Sequence, residues 1–338
     1  MMYSLNEIAL IPAMTSSVSS RGEVCCTYVH EDKLPIFVAP MTSLIDEHNF
    51  HIYEKSNFHV IMPIWSDNYN ERMENLKKGN WTALTLDEFI HCFCSVIIPD
   101  DYKVIYHVLI DCANGHMEKL LQAVKDAKQE YGSQLEIMAG NLATPDTYRA
   151  YCDAGVDYCR LGIGGNIVCE TGSLTGFHTS LPWLLTKIKE IKSTIPNPTC
   201  KIVADGGVNS ISKIIKCLAL GADYVMCGYL FSQVDSVARN TKKVPVTDTF
   251  SEIHNLYYGQ ASVQGQLDRF GLRKDIQRVE GSETYVPIKY QFLQGLADEI
   301  KRALESAMSY AGAFTLEEFV GNVKYEIQSP EEYKSFNA

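Results

Sequence analysis

Short apolar runs recur along the first two thirds of the chain, and each ends in small or polar residues. Near-continuous apolar character of this kind is typical of strands that are buried on both faces of a parallel sheet. The pattern predicts eight strands: LPIFVAPM (34–41), HVIMPIW (59–65), WTALTL (81–86), HVLIDCANG (107–115), LEIMAGN (135–141), YCRLGIG (158–164), KIVADGG (201–207) and DYVMCGY (223–229).

Helical patterns follow several of these runs. In HMEKLLQAVKDAKQEYG, the apolar residues Leu120, Leu121, Val124 and Ala127 fall on one face, with Lys and Glu on the other. SISKIIKCLALGA has the same design and ends at a glycine. Strands alternating with helices indicate a parallel sheet covered by helices, and the count of eight favours a (β/α)8 TIM barrel. Rossmann-type sheets share the alternation, so the pattern alone leaves that architecture open.

A barrel brings the carboxyl ends of its strands together on one face, where active sites lie. We therefore expect the chemistry among the polar residues that end the predicted strands. These ends are Met41 to Ser43, Asp111 to Gly115, Gly140 and Asn141, Gly162 to Thr171, Asp205 to Gly207, and Gly228 and Tyr229.

The composition fits one large domain. The chain has 338 residues, of which 46% are hydrophobic, and a barrel with extensions needs about 250 or more. We predict a single barrel domain over 1–338, with an N-terminal segment at about 1–33 and a C-terminal active-site loop plus helix at about 240–338.

Charge and cysteine content restrict the class of function. The formal charge is −11 and Lys/Arg-rich runs are absent, so we expect neither nucleic acid nor a membrane as partner, although a small anionic ligand remains compatible. The sequence shows no secretory signal and no long apolar stretch, which predicts a cytoplasmic protein. Eleven cysteines, mostly in apolar runs, indicate buried thiols in a reducing compartment. Cys92 and Cys94 lack a second pair at zinc-site spacing, so we expect no metal site.

The stretch GIGGNIVCET (162–171) carries the main catalytic candidate. Its glycines permit positive φ angles and a close backbone approach, which would expose Cys169 on the catalytic face. A nucleophile fits this position, but a core cysteine would leave the same pattern. Glu170 opposes thiolate formation there, whereas a helix N-terminus or a bound cation promotes it.

Two glycine-rich strand ends are candidates for phosphate binding. ADGG (204–207) and CGY (227–229) fit a pocket of backbone N–H groups, although tight turns alone would look much the same. Asp205, between a buried strand and two glycines, can accept hydrogen bonds from two ribose hydroxyls. The alternative for Asp205 is a helix-capping role.

Two further segments carry polar candidates. The end of the fourth strand, DCANG, combines Asp111 with Asn114, which suits a sugar or a carboxamide, but an Asn-Gly pair can also be a plain turn. In the long polar segment of the tail, Arg278, Glu280 and Gly281 are candidate ligands or members of a solvated charge cluster. A long polar stretch in a compact enzyme is usually a functional loop or a disordered one.

Together, these segments resemble the IMP dehydrogenase and GMP reductase family. The resemblance runs in family order from about Leu5 to Ala313. It rests on LPIFVAPM, DCANGH, IMAGNLAT, AGVDYCRLGIGGNIVCET followed by LTG, VADGGVNS, LALGADYVMCGYLF, YYGQAS, the EG of RVEGSE, and YAGA.

Within this family, two features of the chain resemble those of GMP reductases, of which it would be a divergent member. IMP dehydrogenases usually carry a pair of regulatory CBS domains after the second barrel strand, and the sequence between Trp65 and Trp81 leaves no room for them. The segment from Tyr258 to Gly281 is short and lacks the dehydrogenase flap with its Arg-Tyr pair.

The resemblance implies an NADPH-dependent reductive deamination of GMP to IMP, with NAD as the alternative cofactor, in a homotetramer. Cys169 attacks C2 of the purine, and Thr171 and Glu280 assist the departure of ammonia. A monovalent cation near Gly162, Gly164 and Cys169 is a further hypothesis. The implied cofactor-binding residues are Asp111, Asn114, Gly162 and Gly164. The implied substrate-binding residues are Met41, Asp205, Gly206, Gly207, Gly228, Tyr229, Tyr258, Gly259, Arg278 and Gly281.

The chain departs from the family pattern at positions that contribute to proton transfer, to phosphate binding and to dinucleotide binding in the family. The departures are Met62-Pro63 at the family lysine, Ile167 at a phosphate-contacting serine, Glu170 at a threonine, Tyr229 at a small residue, Arg302 to Glu305 at an NADPH-contacting stretch, and Gln277 at the tail-loop arginine. Three functions therefore stay open: a GMP reductase or a relative acting on another purine, an IMP dehydrogenase without regulatory domains, and a purine-nucleotide-binding protein with altered or lost catalysis.

Overall fold

The fold is seen in a computed structural model, which describes residues 3–95, 104–112, 114–165, 167–195, 198–247, 250–271 and 280–329. The strands are β1 (Ile8–Ile11), β2 (Ile36–Val38), β3 (Thr82–Leu84), β4 (Tyr106–Ile110), β5 (Leu135–Leu142), β6 (Tyr158–Leu161), β7 (Lys201–Asp205), β8 (Tyr224–Cys227), β9 (Thr241–Pro245), β10 (Ser251–Tyr258), β11 (Glu283–Pro287) and β12 (Lys324–Ile327). Seven of them form one parallel sheet in the order β2-β8-β7-β6-β5-β4-β3.

The outer strands of this sheet, β2 and β3, are joined by residues 59–62. His59 exchanges two backbone hydrogen bonds of 2.9 Å with β2, and Met62 exchanges two of 2.9 and 3.0 Å with residues 81–83. This segment takes the eighth position, so the predicted (β/α)8 barrel is confirmed. The second predicted strand is irregular, however, because it pairs only through single bridges and the following Pro63 has no N–H for a ladder.

Aromatic side chains fill the end of the barrel where the strands begin. The ring of Phe37 lies 4.9 Å from His59, 5.7 Å from Trp81 and 5.4 Å from Tyr224, measured between centroids. Trp81 in turn packs edge-on against Tyr158 at 5.1 Å. These contacts leave the opposite end, where the strands finish, as the end that can hold a ligand.

Helices surround the sheet and include those expected from the sequence. The helices are α1 (Phe50–Glu54), α2 (Tyr69–Lys77), α3 (Leu86–Ile90), α4 (Glu118–Tyr131), α5 (Pro145–Asp153), α6 (Thr171–Thr175), α7 (Leu181–Lys192), α8 (Ile211–Ala219), α9 (Val263–Phe270), α10 (Leu293–Ala311) and α11 (Leu316–Phe319). A π-helix spans His91–Ser95, and shorter 3-10 turns span Leu5–Glu7, Arg21–Glu23, Gly132–Gln134, Phe231–Gln233 and Asp235–Val237.

The amphipathic segments 116–132, 210–222 and 292–312 are the helices α4, α8 and α10. Each ends near a glycine with positive φ, and Gly312 takes the left-handed conformation that closes α10. Helix α2 occupies the connection between the second and third barrel segments, so that connection holds no regulatory insert. In the part of the chain that the structure describes, no helix is long and apolar enough to cross a membrane.

The C-terminal region contains more regular structure than the polar sequence suggests. Strands β9, β10 and β11 form an antiparallel sheet in the order β11-β10-β9, and α9 follows β10. The polar stretch 257–287, expected to be a functional loop or disordered, instead contains α9 and β11, so that expectation is wrong for 263–270 and 283–287. Strand β1, early in the chain, pairs antiparallel with β12, the last described strand.

Candidate active site

A cavity of about 560 Å³ lies at the carboxyl ends of the barrel strands. Most of the residues expected at the site line its wall, although they come from widely separated parts of the sequence. Those on the wall are Met41, Asp111, Gly162, Gly164, Cys169, Thr171, Asp205, Gly206, Gly207, Gly228, Tyr229, Gly259, Glu280 and Gly281.

The segment that carries Cys169 is held by the tail. Cys169 forms an antiparallel bridge with Gly281, and the amide of Glu170 donates to the carbonyl of Glu280 at 3.0 Å. A Cβ on Gly281 would lie 2.8 Å from the amide nitrogen of Ser262, so only glycine allows the segments to pack this closely. The backbone pairing therefore places Glu280 and Cys169 on adjacent backbone segments of the cavity wall.

Cys169 has a polar neighbour and a partly exposed position. Its thiol donates a hydrogen bond of 3.4 Å to the hydroxyl of Thr171, the first residue of α6. By contrast, Cys159, Cys217 and Cys227 are fully buried in the core. The geometry of Cys169 is thus that of a cavity-lining thiol rather than a core residue.

The glycines before Cys169 allow its loop to pass over the neighbouring strand. Gly162 has a φ of +119°, and a Cβ there would lie 2.1 Å from the carbonyl oxygen of Asp205. A Cβ on Gly165 would lie 2.9 Å from the carbonyl carbon of Gly206. The conformational freedom expected from the sequence therefore serves a close contact between two backbone segments of the cavity wall.

Asp205 is held by two donors on neighbouring strands. The Nε of Arg160 lies 2.8 Å and the Nδ2 of Asn141 lies 2.7 Å from Asp205 Oδ2. Asp205 does not cap the following helix, because Ser210 is the N-cap of α8 and accepts the amide of Lys213. The carboxylate is therefore oriented on the wall of the cavity, where it can accept hydroxyl groups.

Asp111 lies between two guanidinium groups. Arg269 places Nη1 2.8 Å from Asp111 Oδ2 and Nη2 3.3 Å from the Asp111 carbonyl, while Arg160 Nη1 is 3.7 Å from Oδ1. Arg269 also donates to Gln260 Oε1 at 3.0 Å. Burial by itself lowers the pKa of Arg160, but the charges of Asp205 and Asp111 outweigh it and raise that pKa.

Several residues of the cavity wall were not predicted as site residues from the sequence: Cys112, Arg160, Gln260 and Arg269. The contact of Asn141 with Asp205 was not predicted either. Arg160 left a signal, because it is a charged residue inside an otherwise apolar strand. Cys112 is a second thiol on the cavity wall. Burial and the neighbouring Asp111 raise its pKa to about 11, so it is a poor candidate nucleophile.

Three expected site residues are not on the described wall. Asn114 Oδ1 accepts the amide of His116 at 2.9 Å, which is the turn alternative. Tyr258 is 1% exposed, and its hydroxyl donates to Asp268 instead of facing the cavity. Arg278 lies outside the described residues.

The glycine-rich part of the wall has the form of a backbone cradle. Gly206 and Gly207 have φ angles of +94° and +75°, and a Cβ on Gly228 would collide with the hydroxyl of Tyr257 at 2.5 Å. Ile167 stands beside this region and is 49% exposed. Among the described wall residues the only cationic side chains are Arg160 and Arg269, and both form ion pairs.

The described residues contain no group of three or more His, Cys, Asp or Glu side chains arranged to hold a metal ion. The cavity wall carries two thiols, hydroxyl groups and carboxylates. A closed barrel with such a cavity at its C-terminal face has the form of a (β/α)8-barrel enzyme.

Comparison with known proteins identifies the family. The model of the IMP dehydrogenase / GMP reductase domain matches residues 102–334. The GMP reductase of Oceanobacillus iheyensis is 29% identical over 342 residues, covering 96% of this chain and 95% of the relative, and that of Shouchella clausii is 29% identical over 335 residues with the same coverage. The GMP reductase of Streptococcus pneumoniae serotype 4 is 29% identical over 318 residues, 92% and 90% of the two chains. The chain belongs to the IMP dehydrogenase / GMP reductase family and is an oxidoreductase enzyme.

Proposed function

We propose that the chain catalyses the NADPH-dependent reductive deamination of GMP, or a closely related guanine nucleotide, to IMP. The observation that carries this proposal is that Cys169, Thr171 and Glu280 line one cavity together with the ion-paired Asp205. Relatives named GMP reductase, similar to this chain over nearly its whole length, support the direction of the reaction.

The proposed chemistry begins with addition of the Cys169 thiolate to C2 of the purine, which forms a C–S bond. The 2-amino group takes up a proton and leaves as ammonia. Thr171 accepts the hydrogen bond of the thiol in the resting site, and Glu280 moves protons at the leaving amine. A cysteine suits this role because its thiolate is both a good nucleophile and a good leaving group.

The structure has residues that fit the reactive end of a nicotinamide cofactor, since Asp111 and Arg269 place an acceptor and a donor on the same wall. NADPH, when bound, supplies the hydride that C2 receives in place of the amine. Cys169 then leaves C2 as a thiolate and recovers its proton from the site.

The remaining wall residues bind the nucleotide. Asp205, held by Arg160 and Asn141, accepts the ribose hydroxyls. Backbone N–H groups of Gly206 and Gly207 hold the phosphate, because the described cationic side chains of the wall are already paired.

The second candidate function is a nucleotide-binding protein that has lost catalysis. One residue of the sequence, Met62, favours it. Met62, where family members resembling this chain carry a lysine, is buried and does not line the cavity. The site then has to transfer protons without that cation.

The deciding experiment follows NADPH absorbance with GMP as substrate and quantifies ammonia and IMP. The controls are Cys169→Ala and Cys25→Ser, the latter at an exposed cysteine, and IMP with NAD is run beside them. NADPH oxidation with stoichiometric ammonia, lost in Cys169→Ala and kept in Cys25→Ser, supports the reductase. Tight GMP binding without turnover in either direction supports the binding protein.

We also propose that the enzyme is a cytoplasmic homo-oligomer, with the tetramer implied by the family resemblance. Met14 and Tyr310 are 98% and 68% exposed, and the backbone joins Ala13 to Tyr310, so these apolar side chains are neighbours on the surface. Light scattering of the purified chain measures the number of subunits. The monovalent cation near Gly162, Gly164 and Cys169 stays a prediction, tested by the dependence of turnover on potassium.

A further inference from the structure

Three thiols come together outside the catalytic cavity, where α5 meets β6 and the start of β7. Cys152 lies in the last turn of α5, Cys159 lies on β6 and Cys200 directly precedes β7. The Sγ atoms of Cys159 and Cys200 are 3.4 Å apart, and the thiol of Cys152 shares hydrogen bonds with both. All three lie apart from the wall that Cys169 lines, so the proposed reaction does not use them.

The three thiols differ in their access to solvent. Cys159 and Cys200 are 0% and 1% exposed, whereas Cys152 is partly exposed. A small reagent from solution therefore meets Cys152 first, and the two buried thiols stand directly behind it.

The surroundings favour the thiolate at Cys152 over its two neighbours. Hydrogen bonds from Cys159 and Cys200 lower the pKa of Cys152 and outweigh the opposing effect of burial, and the charge of Lys192 acts in the same direction. Burial raises the pKa of Cys159 and the pKa of Cys200. Peroxides oxidise thiolates, and an oxidised cysteine with a second thiol beside it forms a disulfide.

We propose that Cys152 is a modification site for hydrogen peroxide and that Cys200 converts the oxidised product into a disulfide. Cys159 is the less suitable partner, because the strand ladder holds it between Ala139 and Ile202. Cys200 precedes Lys201, the first paired residue of β7, so it can move toward Cys152 without breaking the ladder.

The reaction has two steps. The Cys152 thiolate attacks one peroxide oxygen, the O–O bond breaks, and the leaving hydroxide takes up a proton as water, which leaves a sulfenic acid at Cys152. The sulfur of Cys200 then attacks Sγ of Cys152, the S–O bond breaks, and a second water leaves with the Cys200 proton. One peroxide is thus reduced to two waters while two thiols are oxidised to one disulfide.

The test follows each cysteine separately. The full chain is used in a Cys169→Ala background, called the parent below, so that the thiol of the catalytic cavity does not react. The reduced protein is treated with hydrogen peroxide, with or without dimedone, which traps sulfenic acids, and every cysteine peptide is quantified by mass spectrometry. Cys25, which is exposed, serves as the reference thiol in the same sample. Cys152→Ser and Cys200→Ser are added to the parent.

We expect the dimedone adduct to form about tenfold faster at Cys152 than at Cys25 in the parent. Without dimedone, a peptide pair linked through Cys152 and Cys200 should accumulate and should disappear on treatment with dithiothreitol. Cys152→Ser should lose both products, whereas Cys200→Ser should lose the disulfide and gain dimedone adduct. The linked peptides of the parent identify the partner of Cys152 even where a serine variant fails to fold.

Several outcomes would overturn the assignment. Oxidation of Cys152 no faster than that of Cys25 would show that the cluster does not activate its exposed thiol. A disulfide of Cys152 with Cys159 in the parent would remove the role of Cys200. A disulfide of Cys159 with Cys200 that forms equally fast in Cys152→Ser would remove the role of Cys152. None of these results bears on the proposed function, because turnover of GMP is measured separately with the unmodified chain.

Discussion

The Nε of Arg160 lies 2.8 Å from Oδ2 of Asp205, and the same guanidinium approaches Asp111. One buried cation therefore stands between two carboxylates on the cavity wall. Without it the acids would repel each other and lose the orientation that lets Asp205 accept hydroxyl groups. Arg160 is thus a positioning residue that acts through Asp205.

Replacement of Arg160 by glutamine should weaken nucleotide binding more than it slows the chemical step. We expect the Kd of GMP to rise about tenfold, because Asp205 loses a charge-assisted hydrogen bond, and Arg160→Lys to recover part of the loss. Calorimetric titration of GMP measures this effect, and a KM-against-kcat comparison separates it from catalysis. An unchanged Kd in Arg160→Gln would contradict the positioning role.

The two thiols of the cavity wall should react very differently with an electrophilic nucleotide. A 2-halogenated purine nucleotide should label Cys169, because the halide leaves C2 as the thiolate adds. Cys112 should stay unlabelled near pH 8, since its pKa of about 11 leaves only about one thiol in a thousand ionised. Peptide mass spectrometry after labelling measures both sites, and a small thiol reagent gives the comparison without nucleotide guidance. Label at Cys112 but not at Cys169 would be evidence against the proposed nucleophile.

Much of the barrel follows from local patterns, whereas the ion pairs of the site do not. Strands that are buried on both faces are apolar along their length, so they can be recognised in the sequence. Seven of the eight predicted strands are regular strands in the structure. The segment 59–65 is apolar for the same reason, but its irregular pairing depends on how it fits between two other strands. Backbone geometry at Gly162 was also foreseeable, because glycine is the residue that tolerates positive φ.

The contacts across the cavity depend on long-range packing that leaves no local signal. Arg269 sits in a polar helix, and the sequence does not show that it reaches Asp111. In YYGQAS, the two adjacent tyrosines look equally suited to a ligand. The structure buries both, and the hydroxyl of Tyr258 donates to Asp268.

A methyl group added at Gly281, where the C-terminal region packs against the segment that carries Cys169, should disrupt the site. In Gly281→Ala the new Cβ would lie 2.8 Å from the amide of Ser262, so the tail must shift away from Cys169. We expect a loss of about 1–3 kcal/mol in the free energy of unfolding and a large loss of Cys169 labelling. Gly295→Ala is the matched control, since Gly295 lies in α10 with its nearest neighbour at 3.8 Å. That control should be neutral or slightly stabilising, and equal behaviour of the two variants would contradict the close packing.

Outside the cavity, the ion pair of Glu88 and Arg72 should control acid stability. Arg72 is buried and donates to both carboxylate oxygens of Glu88 at 2.9 and 2.7 Å. Burial by itself raises the pKa of Glu88, but hydrogen bonds from Arg72 and from the Thr85 backbone outweigh it and lower that pKa. Folding lowers the pKa of this carboxyl, so the ion pair stabilises the protein at pH values above the pKa of the unfolded state, about 4.3. This stabilisation is lost as the pH falls through the pKa of the folded state.

Glu88→Gln should therefore destabilise the protein by about 2 kcal/mol at pH 7, because it leaves the buried guanidinium without its counter-charge. The difference from the parent should begin to shrink as the pH falls below the unfolded pKa of about 4.3, and it should shrink further as the pH falls through the lowered pKa of folded Glu88. Denaturant unfolding from pH 7 to pH 3 measures this convergence. Glu74→Gln, at an exposed pair with Lys77, should stay within about 0.5 kcal/mol of the parent throughout. A gap between Glu88→Gln and the parent that is constant with pH would show that the variant disturbs packing and not the charge of the pair.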